Sequence, residues 1–443
     1  MPVEDENNAQ GSAGAPAQPP PPDRHDAYAA IRSANYRRFA FGFAASSLGL
    51  QMLATAIGYE IYERTNDVMM LGYAGLARAA PVMLFALVSG HAVDAFDRKK
   101  IVTVTQFAFA GVAAGLAVVS LLAWPLWMYF ALLFMAGCVR SFNGPSRNAL
   151  MPLLVERADF ENAVKWTTGL FQFSAVSGPI IAGGLIDASG RAWPVYAAMA
   201  VLCVVFGVAA IGLRPRAQVR SAGKLTPASL MAGIGHLKRE KSVLGALLVD
   251  LFAVLVGGAT ALIPVYVTDV LLVSESWQAT AQGVLRASLY VGALVMAVLL
   301  AHRRPFKRAG WWLLGCVAFF GLCTVLYGLS TSFWFSVGLL FLAGAADQVS
   351  VVIRHVLVQV RTPDELRGRV GAVNSLFIEC SNELGAYESG LVAFWFGPVV
   401  SVVSGGVGTI VIVALLAWLL PDLRRLGSLN EPQDEPERPR AAG

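Results

Sequence analysis

Residues 136–171 read AGCVRSFNGPSRNALMPLLVERADFENAVKWTTGLF, and residues 343–377 read AGAADQVSVVIRHVLVQVRTPDELRGRVGAVNSLF. The two stretches align along their length. Ala136-Gly137 meets Ala343-Gly344 at an offset of 207 (343 − 136), and Arg147 meets Arg354 at the same offset. Leu170-Phe171 meets Leu376-Phe377 at 206 (376 − 170), so a single gap suffices. Upstream, Leu76-Ala77-Arg78-Ala79 meets Val284-Leu285-Arg286-Ala287 at 208 (284 − 76). Three matches at nearly one offset indicate a parallel internal repeat, the second half of the chain built like the first.

Both copies lie in apolar surroundings. Of 443 residues, 56% are hydrophobic and 14% charged, with mean hydropathy +0.59. A soluble surface needs roughly 25% charged residues, so this composition excludes an ordinary water-soluble enzyme. Apolar stretches fall at 39–62, 69–92, 101–123, 126–148, 162–187 and 193–213, then at 243–271, 277–301, 310–329, 332–357, 370–396 and 398–421. Most approach the ~20 residues that cross a hydrocarbon core, and longer ones tilt. The expected fold is an all-α integral membrane protein, with twelve transmembrane helices in two pseudo-symmetric six-helix bundles.

The basic residues orient it. Clusters stand at Arg98-Lys99-Lys100, in 214–241, at Arg303-Arg304 with Lys307-Arg308, and at Arg367-Gly368-Arg369; the alternate loops hold only Arg64 and Arg191. Of 34 basic residues, 2 lie in those loops and 4 (Arg78, Arg140, Arg286, Arg354) within helices, leaving 34 − 2 − 4 = 28 on one side. By the positive-inside rule that side is cytoplasmic. Both termini then face the cytoplasm of a multi-pass protein in the inner cell membrane. The same clustering explains a net charge of +5 without nucleic acid. The expected division is a disordered cytoplasmic tail (1–35), an N-terminal six-helix bundle (36–213), a basic linker (214–242), a C-terminal six-helix bundle (243–421) and a second tail (422–443). The first residues lack the basic and apolar regions of a signal peptide. The linker's seven basic residues against Glu240 suit topological anchoring, on anionic lipid where such lipid is present. Cys138, Cys203, Cys316, Cys323 and Cys380 all fall inside apolar stretches, without metal-ligand spacing, and read as packing residues.

The loop after the second stretch is Gly90-His91-Ala92-Val93-Asp94-Ala95-Phe96-Asp97-Arg98-Lys99-Lys100. It resembles the signature of the major facilitator superfamily: a Gly, an Asp four residues on, then Asp/Arg and a basic pair. The resemblance implies a gating loop, with Asp94 set against the positive N-terminal end of another helix, near Val370. A topology-setting basic loop is the plainer alternative. In the fourth stretch, Arg140-Ser141-Phe142-Asn143-Gly144 is similar to the Arg-x-x-Gln-Gly of proton-coupled exporters, with Asn143 in place of Gln. In the fifth, Gly178-Pro179-Ile180-Ile181-Ala182-Gly183-Gly184 is similar to their Gly-Pro-x-x-Gly-Gly, although Ala182 and the extra spacing depart from it. Ordinary small-residue packing explains that motif equally well. YEIYERT (59–65), GPSRNALMPLLV (144–155), LRGRVGAVNSLF (366–377) and SNELGAYESG (381–390) resemble the branch of the enterobactin exporter and macrolide efflux proteins. That branch implies alternating access and proton-driven export of small organic molecules.

Charges inside apolar stretches are expensive and usually have a partner or a task. Asp347 occupies the repeat position of Arg140, and Arg78 that of Arg286. An Arg140–Asp347 pair across the cavity is the expected gating or proton-linked contact. Glu383, Glu388 and Asp250 are further cavity or coupling candidates. Glu379, on one helical face with Glu383, reads better as a salt-bridge partner. No Walker loop, Gly-x-Ser-x-Gly, His-Glu-x-x-His or Cys-x-x-Cys occurs, so neither nucleotide, metal nor other cofactor is expected, and the chain does not read as an enzyme. The reading is a secondary transporter whose partners are a small organic solute, protons and the lipid bilayer, acting as a monomer. It exports a drug-like, siderophore-like or other solute by proton antiport. The alternatives are proton-coupled import of a metabolite or siderophore and, outside transport, a membrane receptor or enzyme.

Overall fold

A computed structural model describes residues 26, 28–216, 235, 237–303 and 306–427. Most of the 214–242 linker lies outside them. Among the described residues there are twelve long helices: α1 (Ala34–Thr65), α2 (Val68–Ala95), α3 (Arg98–Leu121), α4 (Leu126–Leu150), α5 (Phe160–Ser189) and α6 (Trp193–Ile211) form one half. The other holds α7 (Lys241–Val256), α8 (Gln278–Ala301), α9 (Ala309–Leu329), α10 (Phe333–Arg361), α11 (Asp364–Phe396) and α12 (Pro398–Leu419). No strand occurs among the described residues.

Boundaries follow local chemistry. Asp67 and Asp97 accept hydrogen bonds from Met69 N (2.8 Å) and Lys99 N (2.9 Å), capping α2 and α3. Gly190 (φ 66°) ends α5, and Gly397 (φ 88°) turns α11 into α12. Among the described residues, eleven spans are long and apolar enough to cross a membrane. The exception is α11, 33 residues long, whose Glu379, Glu383 and Glu388 lower its hydropathy while its length suffices. The outward faces carry large apolar side chains such as Phe41, Val104, Val201 and Trp418, as a lipid-facing surface requires.

The neighbour pattern repeats with a shift of six helices. In the first half α1 packs on α5 and α6, α2 on α4, and α3 on α4 and α6; in the second α7 packs on α11 and α12, α8 on α10, and α9 on α10 and α12. The halves meet through α2 against α11 and α5 against α8, two contacts that the same operation exchanges. This is the structural counterpart of the sequence repeat.

One element breaks the symmetry. Where α1 runs unbroken, α7 stops at Gly257-Gly258 and continues as a 3₁₀ turn (Ala259–Leu262), a short helix (Ile263–Val265) and a π turn (Tyr266–Val270). The apolar run 243–271 reads as one span but is two pieces. A Cβ on Gly258 would stand 2.5 Å from Gly385 O, and Pro264 cannot donate to a helical carbonyl. The break brings α7 against α11.

The apolar core shows how the halves are disposed. At the end away from the tails, one buried cluster runs through both halves, from Met52, Tyr62 and Tyr196 to Tyr266, Leu285 and Tyr327. At the tail-side end the cores are separate: Tyr36, Phe39 and Phe206 in one half, Val243, Leu313 and Ile353 in the other. A shared buried core joins the halves at the tail-distal end, and each half has its own core at the tail-side end.

Candidate functional site

Small residues bring the charged side chains together. Gly137 on α4 faces α2 so closely that a Cβ would lie 2.7 Å from Arg78 O and 2.9 Å from Pro81 Cγ. Pro81 lies inside α2 at this crossing and leaves a helical carbonyl without its amide partner. On the other side of α2, a Cβ on Gly75 would meet Glu383 O at 3.1 Å, and Gly390 lies against Gly72. These approaches bring an acidic stretch of α11 within side-chain reach of Arg78 on α2 and Arg140 on α4.

The result is an ionic cluster across the two halves. Arg78 Nη2 stands 3.0 Å from Glu383 Oε2, and Arg140 Nη1 3.4 Å from Glu383 Oε1. Arg140 Nη2 is 2.6 Å from Glu379 Oε2. One carboxylate of the second half is thus shared by two guanidiniums of the first. The cluster lies ~15–25 Å from the tail-distal helix ends at 1.5 Å per residue, near the middle of the spans. The Arg140 and Glu379 side chains are 46% and 38% exposed, whereas that of Glu383 is 11% exposed. The first two are therefore partly accessible, and Glu383 is the more enclosed.

The Arg140–Asp347 pair expected from the repeat is not formed. Glu379 and Glu383, four apart on α11, reach Arg140 instead, and Asp347 has no ion-pair partner among the described residues. Arg286 donates to Thr260 O (3.4 Å) at the α7 break. Asp250 forms an ion pair with Arg354 inside the second half, away from the shared cluster. Glu388 is half-buried and meets the hydroxyl of Ser389 at 3.5 Å. Asn143 donates to Thr105 Oγ1 (2.8 Å) on α3.

In the 90–100 loop, Arg98 donates to Ala149 O (3.2 Å), tying α3 to α4, and Gly90 is buried. Lys99 and Lys100 lie in the first turn of α3. The Asp94, Arg367, Gly368 and Arg369 placements fall outside the described side chains. Of the α5 motif, Gly178 faces α1 (2.7 Å from a Cβ to Gln51 Cβ) and Gly183 faces α8 (2.3 Å to Ala279 O). Pro179 O is what a Cβ on Gly283 would strike, at 2.2 Å, while Gly184 faces open space.

Two polar contacts at the tail-distal end escaped the sequence reading. The Asp187 carboxylate on α5 accepts hydrogen bonds from Ala279 N (3.1 Å) and Thr280 N (2.8 Å), the first turn of α8 in the other half. Tyr62 on α1 donates to Asp269 in the π turn after α7. An acid four residues beyond Gly183 was the available signal, but its partners are backbone amides, which leave no mark in composition. Together these bonds and the Gly183 and Gly283 approaches close one end of the molecule.

Known proteins agree with that geometry. A family model described as Major Facilitator Superfamily matches residues 39–381. The chain is 25% identical over 385 residues to enterobactin exporter EntS of Shigella boydii and of Escherichia coli, covering 86% of this chain and 90% of theirs. Among solved structures, a mutant of nucleoside transporter NupG superposes with TM-score 0.67 at 12% identity, covering 88% of this chain and 99% of that one. An inward-facing, occupied bacterial homolog of the human lysosomal transporter Spinster gives 0.66 at 14% identity, covering 89% and 98%. With twelve helices in two related halves and charged side chains gathered between them, this multi-pass membrane chain belongs to the Major Facilitator Superfamily and is a transporter rather than an enzyme.

Proposed function

We propose that the chain exports a small organic solute in exchange for protons, by alternating access, as a monomer in the inner cell membrane with both tails in the cytoplasm. The observation that carries this reading is the carboxylate of Glu383, held by Arg78 and Arg140 across the interface between halves. A proton on Glu383 removes the charge that both guanidiniums attract, and weakens the α2–α11 contact. Glu379, partly accessible, takes up the proton and solute competition first. Asp347, without an ionic partner among the described residues, is the second candidate for proton transfer. The 90–100 loop and Arg367-Gly368-Arg369 act as the tail-side gate. The enterobactin exporters among the relatives make a siderophore-like solute the first to test.

Inside-out vesicles acidified within, and loaded with a pH-sensitive quenched dye, give the test. Enterobactin, then macrolides and other siderophores, are added outside. Solute-dependent proton release that disappears in Glu383→Gln supports antiport, and therefore export. Proton movement seen only when solute and protons enter whole cells together supports import and overturns the reading.

A further inference from the structure

We propose that the tail-side end of α9 is a binding site for one anionic phospholipid, its phosphate held by Arg308 between the indoles of Trp311 and Trp312. The inference stands on the chain's spanning a membrane and is independent of direction, cargo or proton coupling.

A cavity of about 310 Å³ lies here, lined by Arg308, Trp311 and Trp312. The Arg303 guanidinium stands 4.9 Å from the Trp312 ring centroid and 5.6 Å from that of Phe306. That stacking fixes the Trp312 platform before any ligand arrives. Arg303, Lys307 and Arg308 are exposed and have no ion-pair partner among the described residues. No Asp or Glu occurs between Glu275 and Asp347, so the local sequence supplies no counter-charge. The first amides of α9 are already used: Ala309 N donates to Gly427 O (3.1 Å) and Gly310 N to Leu426 O (3.3 Å). An anion here is therefore met by guanidinium groups, with the segment after α12 as a fixed back wall.

The helix below suits an acyl chain. Trp311, Phe319, Leu322 and Leu326 are 58%, 43%, 44% and 39% exposed and lie along one face of α9. Gly315 interrupts that stripe one turn below Trp311, with nothing within 4 Å of a Cβ placed there. The order along the helix is cation, indole, notch, apolar track. This is the profile of a phospholipid from phosphate to chain, with the indoles at headgroup level. A loop that only set topology by its charge would need neither the cavity nor the notch.

The full-length chain in mild detergent, mixed with equal amounts of phosphatidylglycerol and phosphatidylcholine, is measured by native mass spectrometry. One phosphatidylglycerol retained at least tenfold over phosphatidylcholine is expected. Arg303→Gln with Arg308→Gln should lower retention to the phosphatidylcholine level at unchanged melting temperature. Gly315→Leu, which fills the notch and leaves every charge, should lower it as well. Glycerol phosphate, the headgroup without chains, should not displace the lipid. Equal retention of the two lipids, or retention unaffected by the double Gln variant or by Gly315→Leu, overturns the proposal. Displacement by glycerol phosphate at matched concentration also overturns it, in favour of a soluble-phosphate site.

Discussion

Removing the Asp187 carboxylate should open the tail-distal end. In the structure Asp187 accepts from two amides of α8 at 3.1 and 2.8 Å, across the interface between halves. A hydrogen bond to a charged group contributes ~1.5–3 kcal/mol net, and the half-buried setting of Asp187 argues for the low end. Losing both in Asp187→Ala therefore costs the closed end ~3 kcal/mol, a shift on the order of 10²-fold between closed and open forms at 1.36 kcal/mol per tenfold. Asp187→Asn keeps one neutral acceptor and should lose ~1.5–2 kcal/mol, roughly a 20-fold shift. Spin labels at Leu122 and Thr331, exposed at the same end on opposite halves, report the change in a cysteine-free background in nanodiscs. Double electron–electron resonance should show a long-distance population that grows from parent to Asn to Ala. An Ala variant whose distance distribution matches the parent would refute the assignment of this bond as a latch.

Three other outcomes follow from the same contacts. Gly183→Val places carbon where Ala279 O lies 2.3 Å from an ideal Cβ, so α5 and α8 must separate and the same label pair should lengthen. Asp250→Asn leaves the buried Arg354 unpaired and should destabilise the chain by ~3–5 kcal/mol, read as a fall in melting temperature; joint Asp250→Leu and Arg354→Leu should recover most of the loss. Arg78→Gln and Arg140→Gln each leave Glu383 one guanidinium and should lower proton release in vesicles; Arg78→Gln should add nothing to Glu383→Gln, because both act through one carboxylate, whereas Arg140→Gln frees Glu379 as well.

The helix layout was legible because apolar length and basic clustering act locally, one span or loop at a time. Even the repeat survived as Arg147 over Arg354 and Leu170-Phe171 over Leu376-Phe377. Pair identities were less legible. Symmetry put Asp347 opposite Arg140, yet the chain breaks that symmetry with two glutamates on α11 that have no acidic counterpart on α5 at the matching depth. The break in α7 was hidden for a similar reason. Gly257-Gly258 and Pro264 occur in a run whose hydropathy is as high as that of an intact helix, and the π turn depends on packing against α8 and α9. Asp187 was missed because its partners are main-chain groups.

The interrupted α7 gives the two halves unequal mechanics. Tyr266 is held by Gly328 O and stacks on Tyr327 at 4.8 Å, so the piece beyond Gly258 is fastened to α9, while Asp250 fastens the piece before it to α10. The first half moves as a stiff lever; the second carries an elbow at Gly257-Gly258. An elbow at that point lets the Tyr62–Asp269 contact persist while the lower part of the second half swings, so the two ends of the transport path need not change in the same instant. On the alternating-access reading proposed above, a carrier jointed on one side only would move its two ends in sequence, through a stage at which both are shut.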